Sequence, residues 1–322
     1  MATFALPHTR WSYAQAADCI QAWHDAFIAC GWVQTDDTGQ ISLEDAATKT
    51  AVGTVGWRVY KSTDPLSGQL PIFIKVGFNN ISHGAYSSCL LTYMLVGFAT
   101  DGAGTVAAPL SYIYGCTTSS TYPSAAAPGA LSSLLASGDG GSFRAVDLPG
   151  YFAYSSSYID RGVHSAGTFV VARTKDVNGN PTAEGVVLVS PGQYFASTSV
   201  SMGTTTIKPV GVTVERAYRL CPVLLEAGNL PGQVSTVDGQ QQMQHPWACT
   251  PRLYPLEDLG FLTHYTSAAI GDILNIEQGA EVKKYIFIGR TGYCPAVPGS
   301  TAGNTTSTSD MYMEAGFAML WE

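Results

Sequence analysis

The sequence predicts a mainly β protein with one N-terminal α-helix, an α+β chain whose antiparallel sheets form a sandwich or barrel joined by long loops. Three observations carry this reading. Apolar and polar residues alternate over many short runs. Gly, Pro, Asn and Asp punctuate those runs. Helical spacing is sustained only once, near the N-terminus. Composition agrees: 34 Gly and 17 Tyr in 322 residues suit a fold in which Gly makes turns and Tyr fills pleated faces.

The helix comes first. Ser12-Tyr-Ala-Gln15 has the form of a capping box, in which a hydroxyl and an amide side chain satisfy the orphan N–H groups of a first turn. Ile20, Trp23, Phe27 and Cys30 then recur at helical spacing as one apolar stripe, and Gly31 stands where a C-terminal stop is expected. The stripe must cover something apolar, and a sheet is the expected partner.

From Val55 the period changes to two. Val55, Trp57 and Val59 alternate with Gly56, Arg58 and Tyr60. Asp64-Pro-Leu-Ser-Gly68 is a turn signal, and Ile72, Ile74, Val76 and Phe78 then alternate with Phe73 and Lys75. The two runs are expected to pair antiparallel. Leu90 to Ala99 is a third strand, apolar on both faces, so central or covered by the helix. Asp101-Gly-Ala-Gly104 turns the chain again.

Residues 117–142 are rich in Ser, Ala, Pro and Gly and read as a loop or linker between an N-terminal unit, 1–116, and a β-rich region, 143–322, completing the same lobe or a second one. Strand signals resume at Phe143–Leu148 and Tyr151–Ile159. Thr168–Arg173 and Gly185–Ser190 flank Asp176-Val-Asn-Gly-Asn180, where Asn178-Gly179 is the strongest hairpin signal in the chain. Further strands are expected at Thr205–Val214, Tyr218–Leu225, Ala268–Ile276, Lys284–Gly289 and Met311–Trp321, the last completing a sheet in this chain or a neighbouring one. Glu226–Pro255 reads as extended loop, and Gly299–Asp310 as a polar stretch.

Charge narrows the function. Charged residues are only 12% of the chain, about half the usual share, and interfaces between subunits are depleted in Lys, Glu and Asp. The expectation is a self-associating protein. Net charge is −8 with no basic cluster, so nucleic acid is not an expected partner; Lys283-Lys284 follows Glu277 and Glu281 and reads as an exposed face. The most apolar run, Cys89–Ala99, is too short to span a bilayer. Met1–Arg10 lacks the marks of a secretory signal, so synthesis in a cytoplasm is expected.

No residue is singled out as catalytic, cofactor-binding or metal-ligating. Phosphate-loop and dinucleotide fingerprints are missing, and no GxSxG elbow is present. Gly138-Asp-Gly-Gly-Ser142 reads as a hinge. His8, His24, His83, His164, His245 and His264 are dispersed, as are Cys19, Cys30, Cys89, Cys116, Cys221, Cys249 and Cys294, without zinc spacing. Cys19 and Cys30 would lie about 16 Å apart on a helix, too far to bridge. Glycosidase carboxylates could be nominated at Asp160 or Glu257-Asp258, but nothing distinguishes them. Asp176 to Asn180 offers oxygen ligands without the later Glu of an EF-hand, so a turn is expected. Asn304-Thr-Thr306 matches a glycosylation acceptor with nothing pointing to secretion.

Gly31-Trp32, Gly56-Trp-Arg-Val-Tyr60, Ser62-Thr-Asp-Pro-Leu66, Pro71-Ile-Phe-Ile-Lys-Val-Gly77 and Val96-Gly-Phe-Ala-Thr-Asp-Gly-Ala-Gly-Thr105 resemble the opening of certain tailed-bacteriophage virion proteins. The resemblance covers about the first third of the chain. It implies a non-enzymatic component of the tail, baseplate or neck, located in the virion, assembling with copies of itself in a cyclic arrangement and with other virion proteins. It supplies no active-site residues. A different reading is a carbohydrate- or host-receptor-binding module, using Tyr154 and Tyr158 of the Tyr151–Tyr158 segment as stacking faces for a surface glycan. A third, a polysaccharide depolymerase, would need a carboxylate pair the sequence does not mark.

Overall fold

The computed structural model describes the backbone of residues 3–8, 13–83, 86–107, 131–133, 141–146, 150–160, 163–191, 202–208, 213–218, 233–237, 241–244, 247–249, 253–255, 259–263, 273–278, 281–295 and 312–321, and side chains within 14–80, 90, 94–106, 150–152, 171–186, 273–275, 282–286 and 321. Strand dominates these residues, and every strand pair among them is antiparallel.

The chain opens with β1 (Thr3–His8), a 3-10 turn (Tyr13–Gln15) and α1 (Ala16–Ala29). The expected capping box is displaced. The α-helix begins three residues later, with Gln15 at its N-cap and no side-chain cap, because the 3-10 turn closes the entry instead; Ser12 lies outside the described residues. The stripe is as the spacing requires: Ile20, Trp23, Phe27 and Cys30 are all buried. Gly31 ends the helix at φ +74°. Its N–H donates to Ile28 O at 3.0 Å, and the Trp32 N–H reaches Phe27 O at 2.9 Å. This is a Schellman stop, in which a left-handed Gly lets two amides turn back onto orphan carbonyls.

Next come β2 (Val33–Gln34) and a short helix, α2 (Leu43–Ala47), unmarked by apolar periodicity but capped by Ser42, whose Oγ accepts the Asp45 N–H at 3.0 Å. β3 (Gly53–Lys61), β4 (Phe73–His83) and β5 (Tyr86–Gly97) form a meander, extended by the small hairpin β6 (Ala99–Thr100) and β7 (Val106–Ala107). On β4 the alternation holds: Ile74, Val76 and Phe78 join Ile20, Trp23 and Phe27 in one core beneath α1, while Phe73 packs on the opposite face with Val59 and Val106. Each such side chain contributes about 1.5–3 kcal/mol on burial. On β3 the expected grouping is corrected. A bulge between Thr54 and Gly56 leaves Val55 unopposed, and an extra residue reverses the facing of everything before it. Val55 therefore lies in the α1 core with Tyr60, and Val59 and Trp57 in the other cluster.

The outer edge of β3 is closed by residues 35–41. Thr35 N–H donates to Val59 O at 2.9 Å and Ile41 N–H to Trp57 O at 3.0 Å. Between them the Gln40 side chain stands in for a strand, its Oε1 accepting the Val59 N–H at 2.9 Å and its Nε2 donating to Thr35 O at 2.6 Å. A covered edge cannot recruit a foreign strand.

Within the expected linker 117–142, residues 131–133 instead form β8 (Leu131–Ser133), which adds to β5 and gives the order β2-β3-β4-β5-β8. β9 (Gly141–Val146) pairs with β1. A second five-stranded sheet follows as a meander: β10 (Phe152–Asp160), β11 (Val163–Lys175), β12 (Pro181–Pro191), β13 (Met202–Lys208) and β14 (Thr213–Tyr218). The Asn178-Gly179 hairpin joins β11 to β12. Of the strand expected over Thr205–Val214, Thr205–Lys208 lies in β13 and Thr213–Val214 in β14; residues 209–212, and 219–225 of the strand expected over Tyr218–Leu225, lie outside the described residues.

Glu226–Pro255, expected as loop, contains β15 (Gln233–Val237), β16 (Gln241–Gln244), β17 (Trp247–Cys249) and β18 (Leu253–Pro255). Backbone ladders form there without apolar alternation because partner strands supply the hydrogen bonds. β19 (Leu259–Thr263), β20 (Ile273–Gln278), β21 (Glu281–Pro295) and β22 (Tyr312–Leu320) complete a six-stranded sheet, β15-β16-β19-β22-β21-β20. Its outer strands β15 and β20 lie near each other, with no ladder between them among the described residues. The C-terminal strand is held within this chain, between β19 and β21. β10 and β11 lie against β21.

Candidate functional site

Four segments far apart in sequence converge on the face of β3 and β4 that looks away from α1. Val59 stands opposite Lys75 in the β3–β4 ladder and Trp57 opposite Gly77. The Lys75 ammonium consequently sits over the Trp57 ring, 4.5 Å from its centroid. The loop 101–105 between β6 and β7 lies on the indole, and Lys75 Nζ donates to Gly104 O at 2.7 Å. Gly104, at φ +83°, touches the ring so closely that a Cβ there would be 2.2 Å from Cη2. Only Gly combines that conformation with that approach.

Asp37 anchors the loop from the other side. Its Oδ2 accepts the Gly104 N–H at 2.9 Å and the Thr100 hydroxyl, and the Thr38 N–H donates to Gly102 O at 2.8 Å. Asp101 braces the loop from within, its Oδ1 accepting the Ala103 and Thr105 N–H groups at 2.8 and 2.9 Å. Burial alone would raise the Asp37 carboxyl, but bonds from Thr100, Thr35 and the Gly104 amide outweigh it and hold it below its ordinary value. Amide bonds from Ala103 and Thr105 do the same for Asp101. Burial lowers Lys75, opposed by the Asp101 and Asp37 carboxylates. The cluster locks a loop to a sheet.

A second convergence joins this unit to the following sheet. Phe27 is stacked between Tyr60 and Phe152, with centroids 4.1 and 4.0 Å away, and Trp32 Nε1 donates to Tyr151 O at 3.2 Å. Arg173 on β11 forms a bidentate pair with Asp64, Nε to Oδ1 and Nη2 to Oδ2, both at 2.8 Å. Nη2 also donates to Leu70 O at 2.9 Å. The pair is buried on both sides, and Gly150 packs on the guanidinium stem. Burial raises the Asp64 carboxyl, but Arg173 and Ser67 bring it below its usual value. Burial pushes the Tyr60 hydroxyl up to about 12.

Among the described residues, the groups the sequence offers do not form one cluster. Asp176 directs its carboxylate into its own turn, Oδ1 accepting the Asn178 and Asn180 N–H groups at 2.8 and 2.9 Å. Asp101 and Asp176 thus make the same loop, Asp-x-x-Gly-x, with Gly104 and Gly179 at φ +83° and +84°. Cys19 and Cys30 are buried thiols. His24 is partly buried, 3.4 Å from the Tyr60 hydroxyl, and is lowered by burial and by Arg58. Ser142 lies in strand β9 opposite Pro7, Asp160 ends β10, and Tyr154 and Tyr158 fall in β10 opposite Phe169 and Ser165. Lys284 is exposed and Lys283 partly so. Glu257, Asp258, Asn304 and Cys116 lie outside the described residues. Among the described residues no His, Cys, Asp or Glu group is placed to hold a metal ion, and no helix is long and apolar enough to cross a membrane.

Asp37, Thr100 and Arg173 were not marked by sequence. The recurring Asp-x-x-Gly spacing was the available signal for the loop, whereas nothing local announces Arg173. No protein family, curated protein or solved structure matches this chain.

Proposed function

We propose that the chain is a structural subunit of a tailed-bacteriophage virion, in the tail, baseplate or neck, that assembles with copies of itself and with neighbouring virion proteins and performs no catalysis. The observation that carries this reading is how the resembling segments are used. Trp32 is bonded to Tyr151 O, Trp57 lies under Gly104, Asp64 holds Arg173, and Lys75 caps Trp57. These residues are consumed by packing and turn formation, as expected of a scaffold motif. The low charge of the whole chain supports surfaces covered by sister subunits.

Mass spectrometry of purified particles tests the proposal, together with light scattering of the purified chain. The expected result is the chain in particles at a copy number that is a multiple of a ring, and a defined oligomer in solution. A chain that is monomeric at high concentration and missing from particles would sink it.

A further inference from the structure

We infer that Asn178 is a site of spontaneous deamidation and that Asp176 restrains it. The five asparagines among the described residues differ sharply in setting. Asn79 and Asn80 are buried, and Asn80 Nδ2 is held by Lys49 O at 2.6 Å and Ala51 O at 3.1 Å. Asn180 is tied by Nδ2 to Asp176 Oδ2 at 3.1 Å and precedes Pro181, which has no N–H to act as nucleophile. Asn275 is exposed but is followed in sequence by isoleucine, and a β-branched residue at that position hinders attack by its own nitrogen. Asn178 alone combines exposure, a side-chain amide that no described residue holds, and a following glycine with open space around it.

The reaction needs only water. The Gly179 backbone nitrogen, losing its proton, attacks Asn178 Cγ; the new C–N bond closes a five-membered imide and the side-chain nitrogen leaves as ammonia. Water then opens the imide at either carbonyl, yielding aspartate or isoaspartate. No electrons are transferred to or from any redox partner.

The same turn opposes the first step. The Gly179 N–H is engaged with Asp176 O at 3.1 Å. The Asp176 carboxylate fixes the amides on either side of that position, those of Asn178 and Asn180. Gly179 must leave this arrangement before its nitrogen can reach Cγ. Once formed, isoaspartate inserts a methylene into the main chain of a loop whose ends are paired by the Asp176 N–H and Asn180 O at 2.8 Å. The loop that presents Val177, 89% exposed, then loses its geometry. The hairpin tip carries a slow, irreversible change of shape and charge.

The test ages the full chain in mildly alkaline buffer and follows residue 178 by peptide mass mapping, in the native wild type, the denatured wild type, Asp176→Ala and Asn178→Gln. The expected order is slow conversion in the native chain, at least several-fold faster in Asp176→Ala and in the denatured chain, and none at 178 in Asn178→Gln. Equal rates in native and denatured chains overturn the restraint, even if Asp176→Ala fails to fold. Lack of product at 178 in the denatured chain overturns the site.

Discussion

Gly104 lies flat on the indole of Trp57, and the two are joined from above by Lys75, which faces the ring and bonds the Gly104 carbonyl. The 48 residues from Trp57 to Gly104 are thereby closed into one locked unit without any covalent link. Gly104→Ala is expected to cost about 1–3 kcal/mol from the clash with Trp57 and a further ~1–2 kcal/mol from the left-handed backbone. Gly102→Ala, at φ +76° with nothing within 4 Å, should lose only the second part. Urea unfolding of both variants measures the difference.

Lys75→Met keeps the aliphatic stem over the ring and removes the charge. The expected loss is about 1–2 kcal/mol, the sum of a partly buried cation–π contact and one hydrogen bond. In a Trp57→Leu background the cation–π part should vanish, and a double-mutant cycle isolates it.

The Asp64–Arg173 pair spans 109 residues of sequence. Removing either partner alone leaves a buried charge, so Asp64→Leu or Arg173→Met should each cost about 3–5 kcal/mol. The double variant Asp64→Leu with Arg173→Met should fall well short of the sum. Additive losses in denaturant midpoints would show that the two groups are not coupled.

Acid stability follows from the same carboxylates. Asp64 and Asp37 are held below their ordinary value of 3.8, so the unfolded chain binds protons first as pH falls. Their contribution is complete above that ordinary value and is lost as pH drops through the folded values. His24, lowered from 6.5, starts the decline earlier, because the unfolded imidazole protonates before the folded one. Unfolding midpoints measured across the acid range should fall in two stages, and Asp64→Asn should flatten the lower one.

Much of the fold was legible because its signals are local. The stripe Ile20, Trp23, Phe27 and Cys30, the stop at Gly31, the alternation on β4 and the Asn178-Gly179 turn each depend on residues a few positions apart, and each stands as read. The sheet strands at Gln233–Val237 and Gln241–Gln244 were not legible, since polar strands gain their ladder from partners rather than from pattern. Val55 lies on the face opposite to the one its alternation with Trp57 and Val59 predicts, for a related reason. Period-two reasoning assumes an unbroken ladder, and the bulge is seen only when Asn79 and Phe78 are found opposite Thr54 and Gly56.

Side-chain volume, backbone freedom and polarity along the chain thus dictated a β-rich molecule, one amphipathic helix and the places where the chain reverses. They did not dictate that Asp37 would fasten Gly104, that Phe27 would be gripped between Tyr60 and Phe152, or that Arg173 would find Asp64. Those partners meet only after strands have paired and a helix has packed, and the strength of each contact depends on water being excluded from a place that no short stretch of sequence encloses.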